Sequence, residues 1–359
     1  MFDPFENIEV SFAGTEPEGR VEIHQKDTSG MYAELGYVTY ENGIFSNGDV
    51  VKVYLTAWDD PVTYCAENYG VCPTAIEKEY VFYTSSRGSD IGLSRYDAVM
   101  PISDEQKHRA VDILVDRLGY TPDVSFDDLA RGLYAVGESG WDINPRMTYH
   151  AYDFAVTDLN SLIYSIEDNM EFFATEFEDF VSAEKWRGLK EKRAALLRQY
   201  LKADDGIFYD YDLVKKERTS LFSAACYYPL YFGIASADEA AAAVKKLPLL
   251  ETEWGIVTSV KCDEIKGTFQ WGYPNGWPPM QQIVVGGLIR YGYFDDAKRI
   301  ASKFLSLVEK CFAQTGHLWE KYDVVLGSAD ALAEYETPAM LGWTYGTYRV
   351  FSSLLHENE

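Results

Sequence analysis

The sequence predicts a two-part chain: a small β-sandwich over residues 1–85, then a helical domain over residues 86–359. Three observations carry this reading. Apolar and polar residues alternate through the first part, the period of a half-buried strand. The period lengthens to three and four residues after the polar break Ser85-Ser86-Arg87-Gly88-Ser89-Asp90. Beyond that break the unusual residues, clusters of Trp, Pro, Gly and Asp, fall between helical stripes and not within them, the layout of a helical scaffold carrying a loop-built site.

The β part begins with Ile8, Val10 and Phe12 alternating with Glu9 and Ser11, and continues with Val21 and Ile23 alternating with Glu22 and His24. Asp49–Thr56 is β-branched and aromatic, Asn42-Gly43 and Asn47-Gly48 are hairpin turn signals, and Glu79–Tyr83 reads as a last strand. Short strands at regular spacing resemble an Ig-like module, whose plain role is a spacer or docking unit. In the helical part, Ser103-Asp104-Glu105-Gln106 opens a helix with Val111, Leu114, Val115 and Leu118 on one face. Ser125 caps a short helix running toward Val136. Val156–Phe177 has the clearest stripe, Leu159, Leu162, Ile163, Ile166, Met170, Phe173 and Phe177. Ala183–Leu201, Leu221–Phe232, Asp238–Leu247, Gln282–Tyr291, Asp295–Phe312 and a final helix ending near Leu355 bring the count to nine.

Hydrophobic residues make up 47% of the chain and aromatics 15%, enough for a sizeable core. Asp and Glu number 57 against 32 Lys and Arg, a net charge of −25. Such a surface repels nucleic acid and anionic membranes and tolerates a small neutral ligand. There is no apolar run long enough to span a membrane, and Met1-Phe2-Asp3-Pro4-Phe5-Glu6 is not a signal peptide, so a cytoplasmic location is expected. The five cysteines are scattered and odd in number, against a disulfide framework; Cys65 and Cys72 would pair only in an oxidising compartment. With no CxxC, HExxH, P-loop or GxGxxG, no metal or cofactor is expected. The acids of Asp204–Asp212 are spaced like a calcium loop but lack its distal Glu, and read as an ordered aromatic turn.

Chemistry concentrates in three loops. Gln270-Trp271-Gly272-Tyr273-Pro274-Asn275-Gly276-Trp277-Pro278-Pro279-Met280-Gln281 sets aromatics beside amides, which suits the flat, hydroxyl-edged face of a sugar. The plainer alternative is a packed Trp-Pro corner. Gly137-Glu138-Ser139-Gly140-Trp141-Asp142 places an acid directly after a Trp, with Arg146 nearby; a carboxyl against an aromatic wall is suited to donate a proton. Asp142 as a helix cap or as a partner of Arg146 is the other reading. Trp319-Glu320-Lys321-Tyr322-Asp323 repeats the Trp-acid pair, and Glu320 is either a base that orients water or half of an ion pair with Lys321. Glu334-Tyr335-Glu336 adds acids suited to sugar hydroxyls. Two carboxylates on separate aromatic-walled loops fit glycoside hydrolysis, either inverting or retaining.

In order, Glu138–Asp142, Thr157-Asp158-Leu159-Asn160, Asp205–Tyr211, Gln270–Pro279, Glu320–Asp323, Glu334-Tyr335 and Gly342-Trp343-Thr344 resemble trehalases, glycoside hydrolase family 37, and related glycosidases with (α/α)6 barrels. The resemblance covers roughly residues 86–359. It implies an (α/α)6-toroid-like domain, incomplete at nine helices where the ring has twelve. It also implies an inverting mechanism on an α-linked glucoside, with Asp142 as general acid and Glu320 as general base. Trp141, Arg146, Gln270, Trp271, Trp277 and Glu334 would line the sugar subsite. The chain departs from the family at Gly272, where the motif has Asp, and at Ile143-Asn144-Pro145-Arg146, where it has aromatic-Ser-Ser-Arg. The Pro-Gly-Gly-Arg-Phe and Arg-Pro-Glu-Ser segments have no counterpart, and Met100-Pro101-Ile102-Ser103 stands where the latter would be. The alternative to an enzyme is therefore a non-catalytic carbohydrate-binding or scaffold protein. A partial ring would also leave apolar helix faces open to self-association.

Overall fold

The computed structural model describes residues 1–13, 20–40, 50–81, 89, 91–98, 102–109, 112, 125–263, 269–331, 336–339 and 342–356. They form two compact units, one of Met1–Gly88 with Val99–Ile102, the other of Ser89–Ala98 with Ser103–Glu359. The chain is mostly helical, with a few small N-terminal sheets.

In the first unit β1 (Ile8–Ala13) pairs antiparallel with β2 (Arg20–Gln25), Val10 opposite Ile23. A second sheet has the order β3 (Gly36–Val38), β4 (Val50–Thr56), β5 (Glu77–Val81), also antiparallel. The alternation within β4 is real: Val51, Val53 and Leu55 are buried while the residues between them are partly exposed. The predicted Asn-Gly turns and the last two residues of the Glu79–Tyr83 strand lie outside the described residues.

An all-β reading of this unit misses the helix α1 (Pro61–Tyr69) and two 3-10 turns, Pro4–Asn7 and Gly30–Glu34. The ends of α1 are marked in the sequence. The Asp60 side chain accepts from the Thr63 amide, Pro61 occupies the first turn, and Gly70 closes the helix with a left-handed backbone at φ 66°. Cys65 on α1 packs with Phe5, Ile8, Leu35, Val53 and Leu55 in the core of the unit. Cys65 is buried, Cys72 is exposed, and both are free thiols.

In the second unit residues 104–109 are helical; Val111, Leu114, Val115 and Leu118 lie outside the described residues. The principal elements are α2 (Phe126–Ser139), α3 (Thr157–Glu176), α4 (Phe180–Leu196), the single turn α5 (Tyr228–Tyr231), α6 (Ala237–Lys246), α7 (Pro278–Arg290), α8 (Phe294–Thr315) and α9 (Gly342–His356). The helix expected over Leu221–Phe232 is shorter: Ser223 bridges to Ser259 as extended chain, and a 3-10 turn leads into α5. Helix α7 starts four residues earlier than expected, because Pro278 and Pro279 sit in its first turn, where a missing N–H costs nothing. Helices α3 and α4 pack as a hairpin, joined by the ion pairs Glu167–Arg193 and Glu171–Arg187, both 2.8 Å. Helices α7, α8 and α9 pack together around Phe304, Val284, Leu288 and Phe351. No described helix is long and apolar enough to cross a membrane.

Candidate active site

Helix α2 delivers the first loop. It ends at Gly140, left-handed at φ 71°, and Trp141 is turned into the core with 3% exposure. Asp142 follows, half-buried, with its Oδ1 4.0 Å from where a side chain at Gly137 would begin. Ile143 then takes φ 46°, a strained value for a β-branched residue. Asn144 holds the turn: its amide donates to Trp141 O at 2.6 Å, and its Oδ1 accepts from the Arg146 and Met147 amides at 2.9 Å.

The second loop is tied to the first. Trp271 N donates to Ile143 O at 3.2 Å. The rings of Trp141 and Trp271 lie 5.4 Å apart, and Trp271 stacks on Trp277 at 3.8 Å with 7° between the planes. Gln270 O accepts from both Trp277 Nε1 and Asn275 Nδ2 at 2.9 Å, which folds the loop over its own indole. Gly272 must be small here: a Cβ would come within 2.9 Å of Phe269 Cβ and 3.2 Å of Pro145 Cδ.

The third loop follows α8, which ends at Gly316 with φ 73°. The strand β6 (Asn275–Gly276) pairs antiparallel with β7 (Tyr322–Asp323), Gly276 opposite Tyr322. A Cβ at Gly276 would lie 2.3 Å from Val324 Cγ1 and 2.9 Å from Ile256 O, so the pairing requires glycine. Glu320 is clamped through its backbone, its N–H donating to Pro338 O at 3.1 Å and its carbonyl accepting from Trp343 Nε1 at 2.9 Å. Its Oε2 meets Lys321 Nζ at 2.6 Å, and that nitrogen lies 4.9 Å from the centre of the Trp277 ring.

The three loops thus share one structure, a stack of indoles with a buried cation at each end. Arg146 sits 4.4 Å from the Trp141 ring at one end, and Lys321 sits over Trp277 at the other. Each cation has carboxylate partners. Arg146 donates Nε and Nη2 to Asp210 at 3.0 and 2.8 Å, and Nη2 to Asp158 at 2.7 Å. Burial alone would push its guanidinium down, but the charges of Asp158 and Asp210 outweigh it and hold the group well above its usual value. Arg146 Nη1 is buried with no hydrogen-bond partner among the described residues.

Of the residues singled out in sequence, Trp141, Arg146, Gln270, Trp271 and Trp277 meet in this stack, Glu320 touches it through Lys321, and Asp142 follows Trp141 in the chain. Gln270 and Trp277 are each 1% exposed, and Trp277 has one face on Trp271. Glu334 lies outside the described residues. Asp158 and Asp210, the partners of Arg146, stood in quoted motifs with no role assigned, and Lys321 appeared only as a possible ion-pair partner. The signal for Asp210 was its place in an acid-rich turn with no metal set to explain it. A cavity of about 560 Å³ opens beside Pro145 and Arg146, lined also by Asp212, Arg218, Lys261 and Asp263; Asp142 and Glu320 do not line it.

A helical scaffold whose loops meet at stacked indoles is of the kind found in helical glycoside hydrolases. More particularly, the chain belongs to the trehalase family, whose model matches residues 125–355. It is 34% identical over 213 residues to a probable trehalase of Eremothecium gossypii, covering 54% of this chain and 29% of that protein. It is 31% identical over 231 residues to a periplasmic trehalase of Salmonella agona, covering 61% and 40%. The structure of neutral trehalase from Saccharomyces cerevisiae superposes with a TM-score of 0.60 at 26% identity, covering 78% of this chain and 55% of that one. The chain therefore spans well under half the length of these two curated relatives.

Proposed function

We propose that this chain is a trehalase-like glycoside hydrolase that cleaves an α-linked glucoside, trehalose first among candidates, with inversion. The observation that carries the reading is the indole stack, which ties the Asp142 loop and the Glu320 loop to one surface. In this mechanism the Asp142 carboxyl gives its proton to the glycosidic oxygen as the C1–O bond breaks. Glu320 takes a proton from a water whose oxygen attacks C1 from the opposite face. Inversion asks for carboxyls roughly 6.5–9.5 Å apart. Trp141 and Trp271 would wall the sugar, Gln270 and Glu334 would meet its hydroxyls, and Arg146 Nη1 is the donor left over for one more. Trp277 would support the wall from within it.

The same proposal takes residues 86–359 as an incomplete (α/α)6 toroid and residues 1–85 as an Ig-like sandwich. The family membership and the fold match to a neutral trehalase support the first; the two antiparallel sheets support the second. A cytoplasmic site of action and self-association belong to it as well.

The test is glucose release from trehalose and other α-glucosides, with the anomer formed first followed by proton NMR. Asp142→Asn and Glu320→Gln should each lower kcat by at least about a thousandfold while the melting temperature shows the fold intact. Undiminished turnover in either variant removes that residue from its role. Inverting cleavage of trehalose releases one β-glucose, from the attacked C1, and one α-glucose, the leaving group, so α-glucose alone as first product overturns inversion. The absent arginine segments and the occupied guanidinium of Arg146 favour one second reading, a non-catalytic sugar binder. Heat of trehalose binding without glucose release would select it.

A further inference from the structure

The carbonyls on either side of Asp142 are both held. Trp141 O accepts from Asn144 Nδ2 at 2.6 Å, and Ile143 O accepts from Trp271 N at 3.2 Å. Trp141 N in turn donates to Ser139 Oγ at 3.0 Å. Between these anchors the chain bends sharply. Ile143 stands at φ 46°, a value that a β-branched residue keeps only where its surroundings impose it. Backbone outliers of this kind gather at active sites, where the strain pre-organises a reacting group. The residue that imposes this one is Asn144. It is 0% exposed, and all three of its side-chain bonds go to backbone: Nδ2 donates to Trp141 O, and Oδ1 accepts from the Arg146 and Met147 amides at 2.9 Å each. Its own carbonyl accepts from Thr148 N at 3.2 Å. Pro145 steers Asn144 away from the helical region and so helps to set the direction of its side chain. Asn144 is thus a brace across the turn from Trp141 to Met147, and Asp142 sits within the brace.

We propose that Asn144 is a positioning residue for Asp142. Its Nδ2 bond sets the peptide that enters Asp142, and the Trp271 amide holds the chain just beyond it. The carboxyl is thereby kept beside the last turn of α2, its Oδ1 4.0 Å from where a side chain at Gly137 would begin. Asn144 is buried, touches no substrate and acts through Asp142. A general acid must meet the glycosidic oxygen at hydrogen-bond distance while the C1–O bond breaks, and a displacement of about 1 Å costs about a hundredfold in rate. The inference rests on Asp142 being the general acid. The brace is a feature of this chain, since the family motif has Ser-Ser where Asn144 and Pro145 stand, and serine reaches less far.

The test compares two substrates. Trehalose leaves as a sugar hydroxyl and needs the proton. In α-glucosyl fluoride the C1–F bond breaks with its electron pair going to fluoride, which departs with little protonation; water still adds at C1 and gives its proton to the base. Asn144→Asp keeps an acceptor for the two amides but cannot donate to Trp141 O. It should lower kcat on trehalose about 10- to 100-fold with KM little changed, and kcat on α-glucosyl fluoride by less than about threefold. Asp142→Asn should show the same split more strongly. A merely structural asparagine would lower both rates by one factor, in step with the melting temperature, and that result overturns the proposal, as does undiminished trehalose turnover. Should Asn144→Asp not fold, Asn144→Ser, which keeps an acceptor for the Arg146 amide and shortens the reach to Trp141 O, is read by the same ratio. If Asp142→Asn splits the two substrates while the Asn144 variant lowers both alike, only the positioning role falls. If Asp142→Asn leaves trehalose turnover intact, or the wild type cleaves neither substrate, the acid assignment fails and this proposal with it.

Discussion

At the scale of single residues, the site is governed by where charge is buried and what matches it. Arg146 holds two carboxylates in a nearly water-free place, with side-chain exposures of 1% for Arg146 and Asp158 and 5% for Asp210. Arg146→Met should cost about 3–5 kcal/mol in urea unfolding, because it strands two buried carboxylates. Arg146→Lys should recover only part, since an ammonium lacks the fork that engages Asp210 twice. A second expectation concerns pH. Burial, the larger influence, pushes His150 below its ordinary value near 6.5, against the pull of Asp153, Asp212 and Asp128. The native state thus prefers the neutral ring, so the stability His150 contributes is present above about pH 6.5 and is lost as pH falls through its lowered native value. Asp153 runs oppositely, raised by burial from an ordinary 3.8, but its window lies lower. The melting temperature should therefore fall between about pH 7 and pH 5 more steeply in the wild type than in His150→Gln; parallel curves would show that the ring does not feel its burial. The Trp-acid pairs were legible in sequence because both partners are adjacent in the chain. The Arg146–Asp210 pair was not, since 64 positions separate them and nothing local marks either as the other's partner.

At the scale of elements, boundaries followed the chemistry of ends. Residues 126–139 and 157–176 were legible because a cap or a long stripe announces each. The helix α1 was hidden by its setting: Asp60, Pro61 and Gly70 spell its ends, but the strands on either side outvoted them. Asp60→Ala should lower the stability of the first unit by about 1 kcal/mol, read by its own melting transition. The Leu221–Phe232 stripe misled for a different reason. Its apolar residues are buried by the 3-10 turn, α5 and neighbouring chain alike, and burial on all sides has no helical period. The short β6–β7 pairing was beyond sequence reasoning, being two residues long, yet it carries the Glu320 loop. Gly276→Ala tests it, because the added methyl has Val324 Cγ1 at 2.3 Å and a backbone oxygen at 2.9 Å. A cost of about 1–3 kcal/mol is expected. Loss of glucose release should exceed what the melting temperature explains, since the pairing registers Glu320 against the Trp271 loop. A variant with wild-type activity would show that the register tolerates a shift.

At the scale of the whole molecule, the family was readable from motifs kept in order. The lack of a cover for one helix face was readable only as a warning. The stripe that marked α3 as a helix is not buried: Ile166, Met170, Phe173 and Phe177 are 57, 39, 52 and 80% exposed, and Phe180 and Val181 continue it at 68 and 84%. Phe172, at 57%, packs edge-on against Phe173. An aromatic side chain buries roughly 150–250 Å². At these exposures the four phenylalanines alone hold about 500 Å² of uncovered surface. The aliphatic members carry the patch beyond the ~300–600 Å² usual for a monomer, toward the ~800 Å² each partner gives a standard interface. A net charge of −25 opposes association. Helix α4 offsets it locally, with Lys185, Arg187, Lys190, Lys192 and Arg193 against Glu184 and Glu191. A second copy laid on the stripe would bury apolar surface at the centre with charges of both signs around it. Sedimentation velocity should therefore show a dimer that dissociates on dilution, and Phe173→Lys with Phe177→Lys should leave a monomer whose glucose release is unchanged, because the stripe and the indole stack share no residue. Raising the salt should strengthen the wild-type dimer by screening the net charge. A wild-type protein that stays monomeric at every concentration and salt would show that the apolar surface is too small, or too widely spaced along the helix, to overcome the charge.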